Sequence, residues 1–298
     1  MTGARGFIGS RLCARLIRDG AVVHGVSREE QPDGTVGVRW SQAQLTDLQS
    51  ARGLLERVKP DVVFHLAGHV TGSQDLSHVQ PTFHTNLTST VHLLTASVDA
   101  PPERIVLVGS MQEPDPDHPA PVPCSPYAAS KWACTAYACM FQALYGLPVA
   151  IARPMMVYGP GQWDLVKVLP YVTVSLLGGT SPALGSGARE LDWVYVDDVV
   201  DGMLAVASTE GIDGQTIDLG SGMLTSVRTV VEKVAALVGS EMPVRFGALP
   251  DRPLERPCEA RTEQTERLIG WSARTSLDDG LKQTVAWYRE TWSSLKPA

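Results

Sequence analysis

Two kinds of hydrophobic spacing alternate along the first half of the chain. Short apolar, β-rich runs fall at residues 21–26, 61–66, 104–108 and 147–152. Between them, residues 10–19, 48–58, 80–97 and 127–144 carry helical spacing, with apolar residues gathered on one face. Alternation of this kind predicts crossover units and a parallel sheet. After Arg153 the rhythm breaks. Gly159, Pro160 and Gly161 punctuate the chain, and residues 165–177 read as a helix that Pro170 starts or kinks. A strand-like run at 191–196, a helix at 197–207 and a tail helix at 277–289 follow. The second half reads as a smaller mixed region on the edge of the sheet. Ligands of open α/β sheets sit at the carboxyl ends of the strands, so a region placed there would form the lid of a cleft.

Composition narrows the class. At 298 residues, with 44% hydrophobic and 19% charged residues, the chain is globular, as one large domain or two intimate ones. A formal net charge of −7 argues against nucleic acid as a main partner. No apolar run approaches the roughly 18–20 residues needed to span a bilayer, and no signal peptide precedes the first motif. The five cysteines, Cys13, Cys124, Cys134, Cys139 and Cys258, are odd in number and not in metal-ligand pairs. They fit small buried hydrophobes in a reducing, cytoplasmic setting, and no metal site is expected.

Candidate chemistry begins at the first residues, MTGARGFIGS. Gly3, Gly6 and Gly9 recur every three residues ahead of an amphipathic helix bearing Leu12, Leu16 and Ile17. Glycine at those positions lets the backbone approach a pyrophosphate seated on the helix N-terminus. A turn of this kind is normally fed by a strand, and only Met1 precedes it. The expectation is therefore that the first strand is missing from the chain as given and that the natural start lies upstream. The end of the second strand usually selects the nicotinamide cofactor, an acidic residue favouring the unphosphorylated ribose. Ser27 and Arg28 stand there instead, and a hydroxyl with a guanidinium suits a 2′-phosphate. The expected cofactor is NADP, with NAD as the alternative.

Tyr127 and Lys131, four apart in SPYAASKWA, share one helix face. A phenol alone is a poor acid–base group at neutral pH, and a nearby ammonium favours its ionised form. Ser110 ends the apolar run RIVLVG, so its hydroxyl emerges at a strand's carboxyl end, where it can bond a substrate carbonyl oxygen.

With these residues in view, the chain resembles the extended short-chain dehydrogenase/reductases, specifically the nucleotide-sugar epimerase/dehydratase/4-ketoreductase group. The resemblance spans essentially the whole chain through TGARGFIGS, DVVFHLAG, NLTSTVHLLTA, SPYAASK, ARPMMVYGPGQ, ELDWVYVDDVV and LIGWSARTSLDDGL. It implies a Rossmann-like doubly wound sheet at 1–153 with about 189–213, and a substrate domain at about 154–188 and 214–298. It implies Ser110, Tyr127 and Lys131 as catalytic residues, Lys131 also holding the cofactor ribose. Further cofactor contacts are implied for Gly3, Gly6, Phe7, Ile8 and Gly9 at the turn, and for Ser27, Arg28 and Leu45. Leu66, Ala67, Gly68 and Asn86 complete that set, Asn86 supporting the active-site loop or the lysine's water network. Asp198 is implied as structural. Relatives often form homodimers through two helices, here 80–97 and 127–144.

Departures from the family pattern carry information. Relatives show Tyr-Gly a few residues after the catalytic hydroxyl, whereas this chain reads SMQEPDPD. The gap from Ser110 to Tyr127 is 17 positions, shorter than usual. Sugar dehydratases carry Asp and Glu directly after the hydroxyl residue. Met111 and Gln112 cannot transfer protons, so dehydration is disfavoured, and Glu113 is given no catalytic role. Met156 replaces an Asn that contacts the nucleotide diphosphate in relatives, leaving Arg252 as the candidate for that contact. Gln44 stands where relatives have an Asp beside the adenine. His69 and Gln112 are candidate substrate contacts, while Trp132 reads as core. The implied reaction is NADPH-dependent reduction of a keto group on a nucleotide-activated deoxysugar, Tyr127 donating the proton. An NAD-dependent epimerase is the alternative, and a non-catalytic NADP-binding sensor or scaffold the second.

Overall fold

The computed structural model describes residues 1–29, 37–115 and 119–295. In chain order the first elements are α1 (Phe7–Arg18), β1 (Val23–Ser27), β2 (Val38–Gln42), α2 (Leu48–Val58), β3 (Val62–His65), α3 (Val79–Thr82), α4 (Ser89–Val98), β4 (Arg104–Val108), α5 (Pro126–Tyr145) and β5 (Val149–Pro154). There follow β6 (Met156–Tyr158), α6 (Val168–Leu177), β7 (Glu190–Tyr195), α7 (Val196–Ser208), β8 (Thr216–Leu219), β9 (Leu224–Ser226), α8 (Val227–Val238), α9 (Thr262–Ile269) and α10 (Leu277–Leu295). The chain divides into two units. One comprises Met1–Pro154, Val200–Asp218 and Gln264–Trp271, and the other Met155–Val199, Leu219–Glu263 and the residues from Ser272 onward. The strand at 190–195, expected with the first unit, therefore belongs to the second, and α9 returns largely to the first.

The first unit is built on parallel strands. β1 pairs with β2, and a second ribbon runs β3-β4-β5-β8. Thr2 joins the two ribbons, bridging Val26 on one side and His65 on the other. Its amide donates to Phe64 at 3.0 Å and its carbonyl accepts from Leu66 at 3.3 Å, while Val26 donates to Met1 at 2.9 Å. Where a leading strand was expected, this two-residue segment makes the pairing. Every residue of β4 is buried, as a central parallel strand requires. Ile105 and Leu107 of β4, with Val149 and Ile151 of β5, pack on Leu54, Leu93 and Phe141 from α2, α4 and α5.

Local chemistry sets the boundaries. Ser125 caps α5 by accepting from the Ala128 amide at 3.1 Å, Pro126 fills the first turn, and Gly146 ends the helix at φ 65°. The expected helix over 80–97 forms, but its winding is not uniform. A π-helical stretch at Phe83–Thr88 separates α3 from α4, the kind of local widening that recurs at functional sites. In the second unit β6 and β7 are parallel and β9 is antiparallel to β7. Pro170 sits in the first turn of α6, where the missing N–H has no intrahelical partner to lose. Short β2, β6, β8 and β9, together with α8 and α9, fall outside the elements read from spacing.

Candidate active site

The glycine turn leaves no room for side chains. A Cβ at Gly3, which has φ +67°, would stand 2.7 Å from the Leu66 carbonyl carbon, and one at Gly6 would stand 3.2 Å from the Gly3 oxygen. α1 starts after Gly6 with no side-chain cap, so the amides of its first turn, Phe7, Ile8 and Gly9, point to the space before the helix. An uncapped N-terminus behind a close-approach turn fits the pyrophosphate of a dinucleotide.

A buried chain of hydrogen bonds leads from this turn toward α5. The Ala67 amide donates to the Thr2 hydroxyl at 3.0 Å, and Thr2 Oγ1 lies 2.8 Å from His65 Nδ1. His65 Nε2 lies 3.1 Å from Thr90 Oγ1, and the Thr90 hydroxyl donates to the Asn86 carbonyl at 2.7 Å. Thr90 spends its one proton on that carbonyl, so it can only accept from His65. His65 is thereby assigned as the neutral Nε2–H tautomer, with the Thr2 hydroxyl donating to Nδ1. Burial, with the Lys131 charge, lowers its pKa to about 3, so it stays neutral near pH 7.

Asn86, in the π-helical turn, extends this chain. Its Oδ1 accepts from the His69 amide at 2.6 Å, and its Nδ2 donates to Ser130 Oγ at 2.9 Å. Ser130 in turn donates to the Tyr127 carbonyl at 2.8 Å. The expected support of an active-site loop thus takes the form of a direct clamp on His69 and on the first turn of α5. A Cβ at Gly68 would stand 3.2 Å from Asn86 Oδ1 and 3.9 Å from Lys131 Nζ, which places Gly68, Asn86 and Lys131 together.

Lys131 is buried and donates to the Val108 carbonyl at 2.8 Å, at the end of β4. Tyr127 lies one turn earlier and is 7% exposed. Ser110, two residues beyond Val108, has its hydroxyl oriented by accepting from the Gln112 amide at 3.2 Å. Gln112 also reaches the Ser125 cap at 3.4 Å, so the short loop is tied back at its far end. Glu113 is buried. Its Oε1 accepts from the Ser110 amide at 2.6 Å and its Oε2 from the Thr135 hydroxyl at 2.7 Å. Burial pushes its carboxyl above the usual carboxylate range, although those bonds and the charges of Arg153 and Lys131 pull the other way.

The other expected residues are placed as follows. Ser27 closes β1 and accepts from the Glu29 amide at 3.2 Å, and Arg28 beside it is exposed. Leu45 is buried in the core with Leu54 and Leu55. His69 Nε2 lies 3.1 Å from His78 Nδ1. Met156 and Arg252 belong to the second unit, Met156 pairing with Trp193 across β6 and β7. Arg252 approaches Glu255 at 3.5 Å, and Arg189 holds the other carboxylate oxygen at 2.8 Å. Sequence reasoning passed over Arg189 and Glu255. The only available signals were a cation two residues ahead of the apolar run LDWVYV and an acid three residues after Arg252. Among the described residues no cluster of three or more metal-binding side chains occurs, and no helix is long and apolar enough to cross a membrane.

The family model of the NAD dependent epimerase/dehydratase family matches residues 1–220. The chain belongs to that family. It is 31% identical over 313 residues, 97% of each chain, to UDP-glucose 4-epimerase from Mycolicibacterium smegmatis. Among solved structures it is similar to UDP-glucose 4-epimerase from Thermotoga maritima bound to UDP-glucose, at 26% identity and a TM-score of 0.87. That match covers 97% of this chain and 98% of the other. MoeE5 in complex with UDP-glucose and NAD matches at 29% identity and a TM-score of 0.86, with the same coverage. The expected Rossmann-type α/β architecture and the nucleotide-sugar epimerase/dehydratase group are both shown. The chain is an enzyme of the NAD(P)-dependent oxidoreductase type that this family comprises.

Proposed function

We propose that the chain interconverts a nucleotide-activated hexose by hydride transfer at a ring carbon bearing a hydroxyl, as a sugar-nucleotide 4-epimerase does. One observation carries the reading: Ser110, Tyr127 and Lys131 are gathered between the end of β4 and the first turns of α5, in a chain whose relatives are named as UDP-glucose 4-epimerases. The glycine turn, Gly68 and Lys131 would hold a nicotinamide dinucleotide, which supplies a hydride acceptor and donor when bound. Ser110 Oγ holds the reacting oxygen. Tyr127 takes the hydroxyl proton as the carbon is oxidised and returns it on reduction. Lys131, one turn along α5 from Tyr127, is given the role of favouring the ionised phenol. Met111 and Gln112 offer no group for water elimination, which weighs against dehydration. In the second unit, Arg189 and Arg252 share a single carboxylate, leaving one positive charge in excess, and we assign them the sugar nucleotide's diphosphate.

NADPH-dependent reduction of a keto-sugar is the second reading. It is favoured by Ser27, which ends β1, and by Arg28 directly after it, where an acidic residue would select NAD. Mass spectrometry of nucleotide released on denaturation, paired with NADH and NADPH titration, separates the two. Retained NAD and conversion of added UDP-glucose are expected for the epimerase. An empty site preferring NADPH would overturn it in favour of the reductase. Tyr127→Phe is expected to lower kcat about 10²–10⁴-fold, and unchanged turnover would remove both readings. We also propose a homodimer through the face of α5 and the preceding π-helical turn, where Phe83, Tyr137 and Leu144 are exposed. Sedimentation showing only monomer at working concentration would overturn it.

A further inference from the structure

We infer that Glu113 is a positioning residue for catalysis, a buried tie that fixes Ser110 relative to the helix carrying Tyr127 and Lys131. The inference rests on the reading of Ser110, Tyr127 and Lys131 as a hydride-transfer site.

Ser110 and Tyr127 lie on different elements, joined by a loop cut to 17 positions. Their separation must be held within fractions of an ångström if both are to meet one substrate oxygen. The backbone leaves that distance free, because a turn following a strand can pivot. Glu113 closes the turn on itself, its amide donating to the Ser110 carbonyl at 3.0 Å while its carboxylate takes the Ser110 amide at 2.6 Å. The same carboxylate reaches α5 at Thr135, one turn past Lys131, at 2.7 Å. Two oxygens thus span two elements, one on the serine's own N–H and the other on the catalytic helix.

The surroundings are built around this contact. Gly109 faces the carboxylate so closely that a Cβ there would stand 2.7 Å from Glu113 Oε1. The side chain is 8% exposed, so water cannot substitute for either partner. A buried carboxylate is a costly way to fill space. Its two bonds give it a use, and both go to protein groups. Glu113 therefore acts through Ser110 and touches no reacting atom.

The test compares Glu113→Gln, Glu113→Ala, Thr135→Val and Tyr127→Phe with the wild type. It reads kcat and KM for UDP-glucose with NAD present, retained nucleotide, and hydrogen exchange at the Ser110 amide. Glutamine keeps both ties, its Oε1 accepting from Ser110 and its Nε2 donating to Thr135. Glu113→Gln is expected to hold kcat within about threefold and to keep Ser110 protected. Glu113→Ala is expected to lower kcat about 10–100-fold, with KM and retained nucleotide unchanged and Ser110 exchange faster. Thr135→Val, which preserves volume on the helix, should lower kcat in the same direction with less effect on exchange. Wild-type kcat in both Glu113→Ala and Thr135→Val, or a Ser110 amide as protected in Glu113→Ala as in the wild type, would overturn the tie. Turnover unchanged in Tyr127→Phe would instead overturn the reading of the site itself.

Discussion

Two buried carboxylates, one in each unit, are set against glycine in the same way and held differently. Glu113 accepts two hydrogen bonds, one from a backbone amide and one from a hydroxyl. Asp192, fully buried on β7, accepts four. Its Oδ1 takes the Ser221 amide and hydroxyl, each at 2.7 Å, and its Oδ2 takes the Gly222 amide at 2.9 Å and the Ala260 amide at 3.0 Å. Three of those donors are backbone groups of loops that have no strand partner for them. Asp192 is a closure for the second unit's loops, a negative charge placed where backbone dipoles converge. Glu113 joins two elements beside reactive groups and keeps capacity to change state. How many donors surround a buried carboxylate thus separates a framework charge from a site charge.

Asp192→Ala is the largest test of that difference. It strands four donors, the Ala260 amide buried and the Ser221 and Gly222 groups part-buried, at up to about 1–3 kcal/mol each. A loss of several kcal/mol in urea-induced unfolding is expected, against a smaller loss for Glu113→Ala. Equal midpoints for the two variants would break the comparison.

The facing glycines give a finer version. A Cβ at Gly220 would stand 2.5 Å from Asp192 Oδ2 and 2.6 Å from both Ala260 Cβ and Met155 Cγ. Asp192 cannot yield without disturbing its four donors, and Ala260 not without disturbing one, so Gly220→Ala should cost about 1–3 kcal/mol. At Gly109 the nearest atom is the far end of the Glu113 side chain, with Ile151 Cγ2 next at 3.1 Å. That end can swing aside only by releasing two donors, against four for Asp192. Gly109→Ala is expected to cost less stability than Gly220→Ala, yet to lower kcat as Glu113→Ala does. Thermal or urea unfolding with parallel kinetics checks both halves. A Gly109→Ala protein with normal kcat would show that the carboxylate's position is immaterial.

The two carboxylates also mark how far the sequence could be read. Spacing located α2, β4 and α5 almost to the residue, because the helices are bounded by Asp47, Ser125 and Gly146 as caps and β4 is a short, fully buried apolar run. The glycine turn and the Ser110, Tyr127 and Lys131 set were legible because their chemistry demands fixed residue types at fixed intervals. The π-helical turn within 80–97 was not legible, since it preserves an apolar face while shifting the register by one residue. Short β6, β8 and β9 lie below the length at which alternation is informative. Asp192 reads as one acid inside an apolar strand, and its donors arrive from 29 to 68 residues away. Glu113 reads as an acid in a loop. Only the fold reveals that one oxygen meets Ser110 and the other meets α5.

The smallest expected effect follows from ionisation. Burial raises the Glu113 carboxyl in the folded chain above its unfolded value. A group shifted upward contributes stability that is fully present below the unfolded pKa and is lost as pH rises through the folded one. As pH rises the folded wild type must therefore charge a buried carboxyl, which Glu113→Gln does not. The groups facing it are Lys131, Cys134 and Cys139 on α5 and Arg153 on β5. Arg153 is already paired with Asp218 at 2.6 Å, and burial holds both thiols above their ordinary value, so they stay neutral here. The two cations and two hydrogen bonds offset part of the burial cost, which keeps the net effect small. Glu113→Gln is expected to raise Tm slightly on the alkaline side, the gap closing as pH falls into the ordinary carboxylate range. A gap that stays constant from neutral to acid would assign the gain to packing, and Glu113 would then be a framework group like Asp192 rather than one whose charge changes.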